Sequence, residues 1–128
     1  MRIEHLAIWV VNLELMRGFY ERYFGAISGK KYHNSTKNFT SYFLSFAQGP
    51  RLELMQKPTI SSIGNNSEEY LGISHFAVSV GSKNKVDTLT NTLEKDGYKI
   101  VSEPRTTGDG YYESVVLDPE GNRIEITL

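Results

Sequence analysis

The chain has 128 residues, a net charge of −1 and 23% charged side chains, which are ordinary values for one small globular domain. Its Lys and Arg residues are scattered, which argues against a nucleic-acid surface, and no apolar run is long enough to cross a bilayer. It contains no cysteine, so thiolate metal ligands, disulfides and a cysteine nucleophile are excluded.

The first predicted elements are a strand and a helix. Residues 3–10 alternate around apolar and β-branched side chains, which predicts a strand. The N-terminal residues do not have the layout of a signal peptide, so we expect a cytoplasmic protein. Apolar residues then recur at helical spacing from Leu13 to Phe24, and Gly25 supplies the stop. Three strands are predicted after this helix, at about residues 26–34, 39–46 and 51–56.

The second half of the chain repeats this order. Residues 73–80 align with residues 3–10 at an offset of 70, and residues 121–126 align with residues 49–54 at an offset of 72. A sparser helix pattern is formed by Val86, Leu89 and Leu93 and ends at Gly97. Three strands are again predicted, at about residues 98–103, 111–118 and 122–128.

The repeat predicts two βαβββ modules within one domain. The first spans residues 1–57 and the second spans residues 72–128, joined by a linker at residues 58–71 that is rich in Ser, Asn and Gly. One module alone could not bury its sheet face, so the two are expected to belong to a single domain.

Four polar residues occupy equivalent strand positions in the two modules. His5 and Glu53 belong to the first module, and His75 and Glu125 belong to the second. Because side chains alternate between the faces of a strand, all four are expected on the face away from the helix. If the first and last strands of a module are neighbours, each module brings one His beside one Glu.

This residue set predicts a metal site. A charge on an inner sheet face is costly unless it is paired or coordinated. Two imidazoles and two carboxylates would neutralise one divalent metal ion (Zn, Ni, Co, Mn or Fe) and leave positions for water or substrate. The ordinary alternative is a set of structural histidines and solvated glutamates. His33 has no counterpart in the repeat and is predicted to be a surface residue.

Several short motifs resemble the vicinal oxygen chelate superfamily. They are Ile3-Glu4-His5-Leu6-Ala7-Ile8, Phe19-Tyr20 with Phe24-Gly25, Ser74-His75-Phe76-Ala77-Val78 and Asp118-Pro119-Glu120-Gly121-Asn122-Arg123-Ile124-Glu125. That superfamily includes the glyoxalases, the bleomycin- and fosfomycin-resistance proteins, the extradiol dioxygenases and methylmalonyl-CoA epimerase. The resemblance implies an α+β fold in which two tandem βαβββ modules form an open mixed-sheet barrel around a metal.

Within the superfamily, a His, Glu, His, Glu ligand set is most similar to glyoxalase I. The resemblance therefore implies that His5, Glu53, His75 and Glu125 are the metal ligands, because resistance enzymes and dioxygenases generally use three protein ligands. It also implies a homodimer in which each site takes one His–Glu pair from each subunit.

The implied reaction is that of a metal-dependent lyase or isomerase of the glyoxalase I (lactoylglutathione lyase) type. Such an enzyme abstracts a proton next to a carbonyl of a small-molecule substrate while the metal stabilises the enediolate oxygens. Glu125 is the first choice for the base and Glu53 the second. The alternatives are an epimerase or fosfomycin-type thiol transferase, a metal-free drug-binding protein, and an accessory dimer with a vestigial site.

Four further residues are candidates for substrate binding. Trp9 and Lys57 stand where glyoxalase I typically has an Arg and an Asn that contact glutathione, which places glutathione as co-substrate in doubt. Trp9 could stack on a planar ligand, or it could serve as core or interface packing. Arg105 and Tyr111 flank a stretch with two glycines and could hold an anionic or aromatic substrate, or form an ordinary hairpin loop.

Overall fold

A computed structural model describes residues 1–60 and 72–128 of the chain. The chain divides into two compact units, Met1–Ile63 and Gly64–Leu128. Most of the predicted linker at residues 58–71 lies outside the described residues. No helix in the described part is long and apolar enough to cross a membrane.

The first unit is a mixed sheet with one helix. Its elements are β1 (His5–Trp9), α1 (Leu13–Phe24), β2 (Ile27–Ser28), β3 (Tyr32–Asn34), β4 (Phe39–Ser45) and β5 (Arg51–Gln56). The strand order is β1-β5-β4-β2, and β3 also pairs with β4. The first and last strands, β1 and β5, are parallel neighbours, whereas β4 and β5 are antiparallel.

The second unit has the same arrangement. Its elements are β6 (Phe76–Ser79), α2 (Lys83–Lys95), β7 (Ile100–Thr106), β8 (Tyr112–Leu117) and β9 (Arg123–Thr127). The strand order is β6-β9-β8-β7, with β6 and β9 parallel and the other pairs antiparallel. Both sheets are therefore mixed, and the predicted α+β class is confirmed.

The sequence of α1 explains both of its ends. The Asn12 side chain accepts a hydrogen bond from the Leu15 backbone N–H at 3.0 Å and so caps the first turn. At the other end Gly25 has φ of 63°, a left-handed conformation that side chains disfavour, and it ends the helix where the sequence predicted. Between them α1 buries an apolar stripe, which includes Met16 and Tyr20.

Glu14 ties the first turn of α1 to the rest of its unit. Its carboxylate accepts hydrogen bonds from Lys31 Nζ at 2.8 Å, Arg17 Nε at 3.0 Å and Tyr42 Oη at 3.1 Å. These bonds, of which the Lys31 bond has the largest effect, lower the pKa of Glu14 to about 2. The helix is thereby held over β4 by charge as well as by its apolar face.

The last strand of each unit separates the core from the candidate ligands. Leu54 in β5 and Ile126 in β9 are fully buried on the helix side. Because side chains alternate along a strand, Glu53 and Glu125 project from the opposite face. The burial of the apolar neighbours therefore fixes the direction in which each carboxylate points.

Two predicted strands differ from those observed. The predicted strand at residues 26–34 is divided into β2 and β3, because its register on β4 shifts by one residue and Gly29 N–H bonds to the Phe43 carbonyl at 2.8 Å between them. The strand predicted at residues 98–103 instead continues through Pro104 to Thr106. As β7 lies at an edge of its sheet and its register on β8 is irregular, a proline is accommodated there.

Candidate metal site

The first unit places His5 beside Glu53. His5 opens β1 and pairs in register with Arg51, while Glu53 in β5 lies opposite Ala7. The two side chains approach each other with His5 Nε2 3.9 Å from Glu53 Oε2. The imidazole is 40% exposed and the carboxylate 14% exposed, so solvent reaches the imidazole more readily than the carboxylate.

The second unit places His75 beside Glu125 in the same way. His75 immediately precedes β6, and Glu125 in β9 lies opposite Ala77. His75 Nε2 is 3.3 Å from Glu125 Oε2. The strand adjacency on which the sequence argument depended is thus present in both units, and the same imidazole nitrogen faces the carboxylate in each.

The distance between the two donor atoms within each His–Glu pair is close to the distance between two ligands of one divalent ion. Two donors that bind the same ion at about 2.1 Å lie about 3.0–3.4 Å apart for angles of about 90–109°. The separation of 3.3 Å in the second unit falls in this range, and 3.9 Å in the first needs only a small side-chain adjustment. In the part of the chain that the structure describes, no three His, Asp or Glu side chains converge to hold an ion. Each unit therefore brings together one His and one Glu, two candidate ligands.

The two histidines differ in what contacts their second nitrogen. His5 Nδ1 is 2.5 Å from Glu4 Oε2, and Glu4 is in turn paired with Arg51. The hydrogen bond to His5, followed by the influence of Arg51, lowers the pKa of the Glu4 carboxyl. His75 Nδ1 instead lies 3.3 Å from the hydroxyl of Ser74.

Glu113 is a site neighbour that sequence reasoning missed. It lies in β8 on the same face as Glu125, opposite Arg105 on one side and Thr127 on the other. Burial, together with the charge of Glu125 and a hydrogen bond to it, raises the pKa of the Glu113 carboxyl. The repeat gave no signal because the equivalent residue at the offset of 72 is Ser41, whereas strand alternation from Glu113 to Val115 could have placed it.

Trp9 lies on the His5 face of β1. Its indole is 44% exposed and meets Phe39 edge to face, with ring centroids 6.1 Å apart. Trp9 is therefore an accessible aromatic surface rather than a core residue of its unit.

Lys57 lines a cavity of about 360 Å³ within the first unit. The apolar walls of this cavity include Val10 and Ile60. Gln56 also lines it, and alternation along β5 places Gln56 on the face opposite Glu53. Lys57 directly follows Gln56, the last residue of β5, and lies four residues after Glu53, and its role in substrate binding stays a prediction.

Arg105 and Tyr111 belong to the β7–β8 hairpin. Arg105 Nε donates a hydrogen bond to the Ser102 hydroxyl at 3.1 Å. The positive charge of its guanidinium partly offsets the rise in the pKa of the neighbouring Glu113, which stays raised overall. Tyr111 is 60% exposed, and its backbone N–H and carbonyl bond to Thr107 across the turn. The hairpin thus brings Arg105 near the Glu125 side of the sheet, whereas Tyr111 stands at its solvent-facing tip.

Comparison with models of protein families shows which superfamily the chain matches. A model of the glyoxalase/bleomycin resistance protein/dioxygenase superfamily matches residues 2–126. The chain belongs to that superfamily. The superfamily fold that the sequence motifs predicted is therefore confirmed. In each unit the His lies at the first strand and the Glu in the last strand.

Individual proteins show how far the similarity extends. A mutant glyoxalase I from Zea mays is 25% identical with a TM-score of 0.78, over 98% of this chain and 44% of that one. The chain thus spans less than half the length of the maize enzyme. The trypanothione-dependent glyoxalase I of Leishmania major is 24% identical with a TM-score of 0.79, over 99% and 86% of the chains. The uncharacterised protein YqjT of Bacillus subtilis is 23% identical over 97% of this chain and 96% of its own.

Proposed function

We propose that the protein is a metal-dependent lyase or isomerase of the glyoxalase I type. The observation that carries this proposal is the pair of equivalent His–Glu contacts, at 3.3 Å in the second unit, the spacing of two ligands of one ion, and at 3.9 Å in the first, a small side-chain adjustment away from it. The proposed ligand set also contains two carboxylates. Together they balance the charge of a dication, and in this proposal one of them also exchanges a proton with the substrate. Membership of the superfamily supports the assignment.

In this proposal each of the four side chains has a defined role. His5 and His75 bind the ion through Nε2, the nitrogen that faces the carboxylate in both units. A bound divalent ion would act as a Lewis acid toward a carbonyl oxygen of the substrate. Glu125 would remove the proton from the carbon next to that carbonyl and deliver it to the carbonyl carbon, which completes the isomerisation, and Glu53 is the alternative base.

The substrate is a small α-hydroxycarbonyl compound or thiol adduct. Trp9 supplies an exposed aromatic surface on the His5 face, and Arg105 supplies a cation near Glu125 for an anionic group. We assign Tyr111 and Lys57 lesser roles, because one stands at a hairpin tip and the other lines a cavity with Gln56. Trp9 in place of a guanidinium favours a thiol less anionic than glutathione.

Metal reconstitution tests the proposal directly. The metal-free protein should bind one Zn, Ni or Co ion per site and then convert the adduct of methylglyoxal and glutathione, or of another thiol, to the hydroxyacyl thioester. Chelation should remove the activity, and readdition of the ion should restore it. Stoichiometric metal with no turnover of any thiol adduct would exclude the glyoxalase reaction, and the absence of stoichiometric metal would exclude the metal site itself.

We further propose a homodimer in which each ion takes His5 and Glu53 from one subunit and His75 and Glu125 from the other. Mixing two inactive variants tests this arrangement. A variant with His5→Ala and Glu53→Gln, combined with one carrying His75→Ala and Glu125→Gln, should regain about a quarter of the wild-type sites through heterodimers that hold one intact site. No recovery after mixing, in heterodimers verified by mass, would contradict sharing between subunits.

A further inference from the structure

A chain of polar contacts leads away from His5 on the side opposite its partner carboxylate. The Glu4 carboxylate lies 2.5 Å from His5 Nδ1 through Oε2. Its other oxygen, Oε1, accepts a hydrogen bond from Arg51 Nε at 2.8 Å and is paired with a second guanidinium nitrogen as well. The Arg51 guanidinium lies over the ring of Phe43, with 4.2 Å to the centroid, and His5 meets the same ring by its edge.

These contacts select one form of the neutral imidazole. An ionised carboxylate can only accept hydrogen bonds, so the His5 nitrogen facing Glu4 must be the one that carries the proton. The lone pair is then left on Nε2, the atom that faces Glu53 at 3.9 Å. The Arg51 guanidinium, which binds the other oxygen of Glu4, supplies the positive charge that pairs with the carboxylate form.

The second unit lacks this device. Ser74 occupies the position equivalent to Glu4, and its hydroxyl lies 3.3 Å from His75 Nδ1. A hydroxyl can either donate or accept, so it does not select between the two neutral forms of His75. The two otherwise equivalent histidines are therefore oriented by different chemistry.

We infer that Glu4, itself held by Arg51, is a positioning residue that fixes the tautomer and ring orientation of His5. The inference concerns the ligand of the metal site proposed above and rests on that proposal only for its effect on metal affinity. Partners that orient a ligating histidine typically change metal affinity by about 10–100-fold when they are removed. Since Glu4 is half exposed, its loss should affect the orientation of His5 far more than the stability of the fold.

Nitrogen NMR of the metal-free protein tests the inference without reference to metal or activity. At alkaline pH, where imidazole is neutral, long-range proton–nitrogen spectra of the three histidines should show His5 with its proton on Nδ1. Glu4→Ala should shift His5 toward the Nε2-protonated form that free imidazole side chains prefer, whereas Glu4→Asp should largely retain the wild-type signature. An unchanged His5 signature in Glu4→Ala would overturn the inference.

Ser74→Ala provides the matched control, because it removes the equivalent contact on His75. By calorimetry with Zn²⁺, Glu4→Ala should weaken binding by about 10–100-fold and Ser74→Ala by no more than about threefold. Equal losses in the two variants would overturn a special role for Glu4. If the wild-type protein binds no Zn²⁺ at all, the proposed metal site fails, and the His5 tautomer in Glu4→Ala alone decides the positioning role.

Discussion

Replacing Glu125 with Gln is expected to lower kcat by about 10²–10⁴-fold, the usual contribution of a general base. The amide of Gln has almost the same size as the carboxylate but cannot accept a proton. Glu125 faces His75 at 3.3 Å and is only 18% exposed, so water cannot easily replace it in proton transfer. The measurement is kcat of the reconstituted enzyme with the thiol adduct that the wild type turns over, after metal content has been equalised.

Glu53→Gln is the matched comparison for this prediction, because the two carboxylates occupy equivalent positions in the repeat. Their surroundings differ. Glu125 has the carboxyl of Glu113 as a hydrogen-bond partner, whereas the equivalent position in β4 of the first unit holds Ser41. We therefore expect the smaller loss of kcat from Glu53→Gln. Equal losses, or a larger loss from Glu53→Gln, would contradict the assignment of Glu125 as the principal base.

Replacing Leu54 with Ala should reduce the free energy of unfolding by about 2–5 kcal/mol. Leu54 has no exposed surface and lies in register between Ile8 of β1 and Tyr42 of β4, so its truncation leaves a cavity beneath the sheet. A loss of this size is a large part of the total stability of a small domain. Urea unfolding of the metal-free protein, monitored by circular dichroism, measures it.

Ile27→Ala serves as the control for the core substitution. Ile27 is also an aliphatic strand residue, but it is 74% exposed at the end strand of the same sheet. Its truncation should change the free energy of unfolding by no more than about 0.5 kcal/mol. Similar losses in the two variants would show that the core of the first unit is not centred on β5.

Much of the fold could be predicted from the repeat and from apolar periodicity. The stop of α1 at Gly25 and the positions of β4, β5, β8 and β9 followed from turn residues and alternation. The division of residues 26–34 and the extension through Pro104 could not be predicted in this way. Both depend on register shifts between strands, which arise from pairing partners that are distant in sequence.

Strand alternation predicted one part of the candidate site and missed another. Parity along the strands, once the first and last strands of a module were taken as neighbours, placed His5 beside Glu53 and His75 beside Glu125. It could not reveal the contact of Glu4 with His5, because successive residues of a strand point to opposite faces, and Glu4 lies just before β1 begins. That contact depends on the backbone path at the strand entrance and on a guanidinium that comes from β5.

The first and last strands of each unit pair in parallel, and this pairing affects how the unit tolerates insertions and deletions in the chain between them. Each His–Glu pair is assembled from the two ends of its unit, 48 residues apart in the first and 50 in the second. The connections between those ends run through the helix and the antiparallel strands, and the antiparallel strands supply neighbours of the pair, Phe43 of β4 and Glu113 of β8. Insertions and deletions in the loops of those connections can therefore reshape the surroundings of a His–Glu pair while its two side chains keep their spacing.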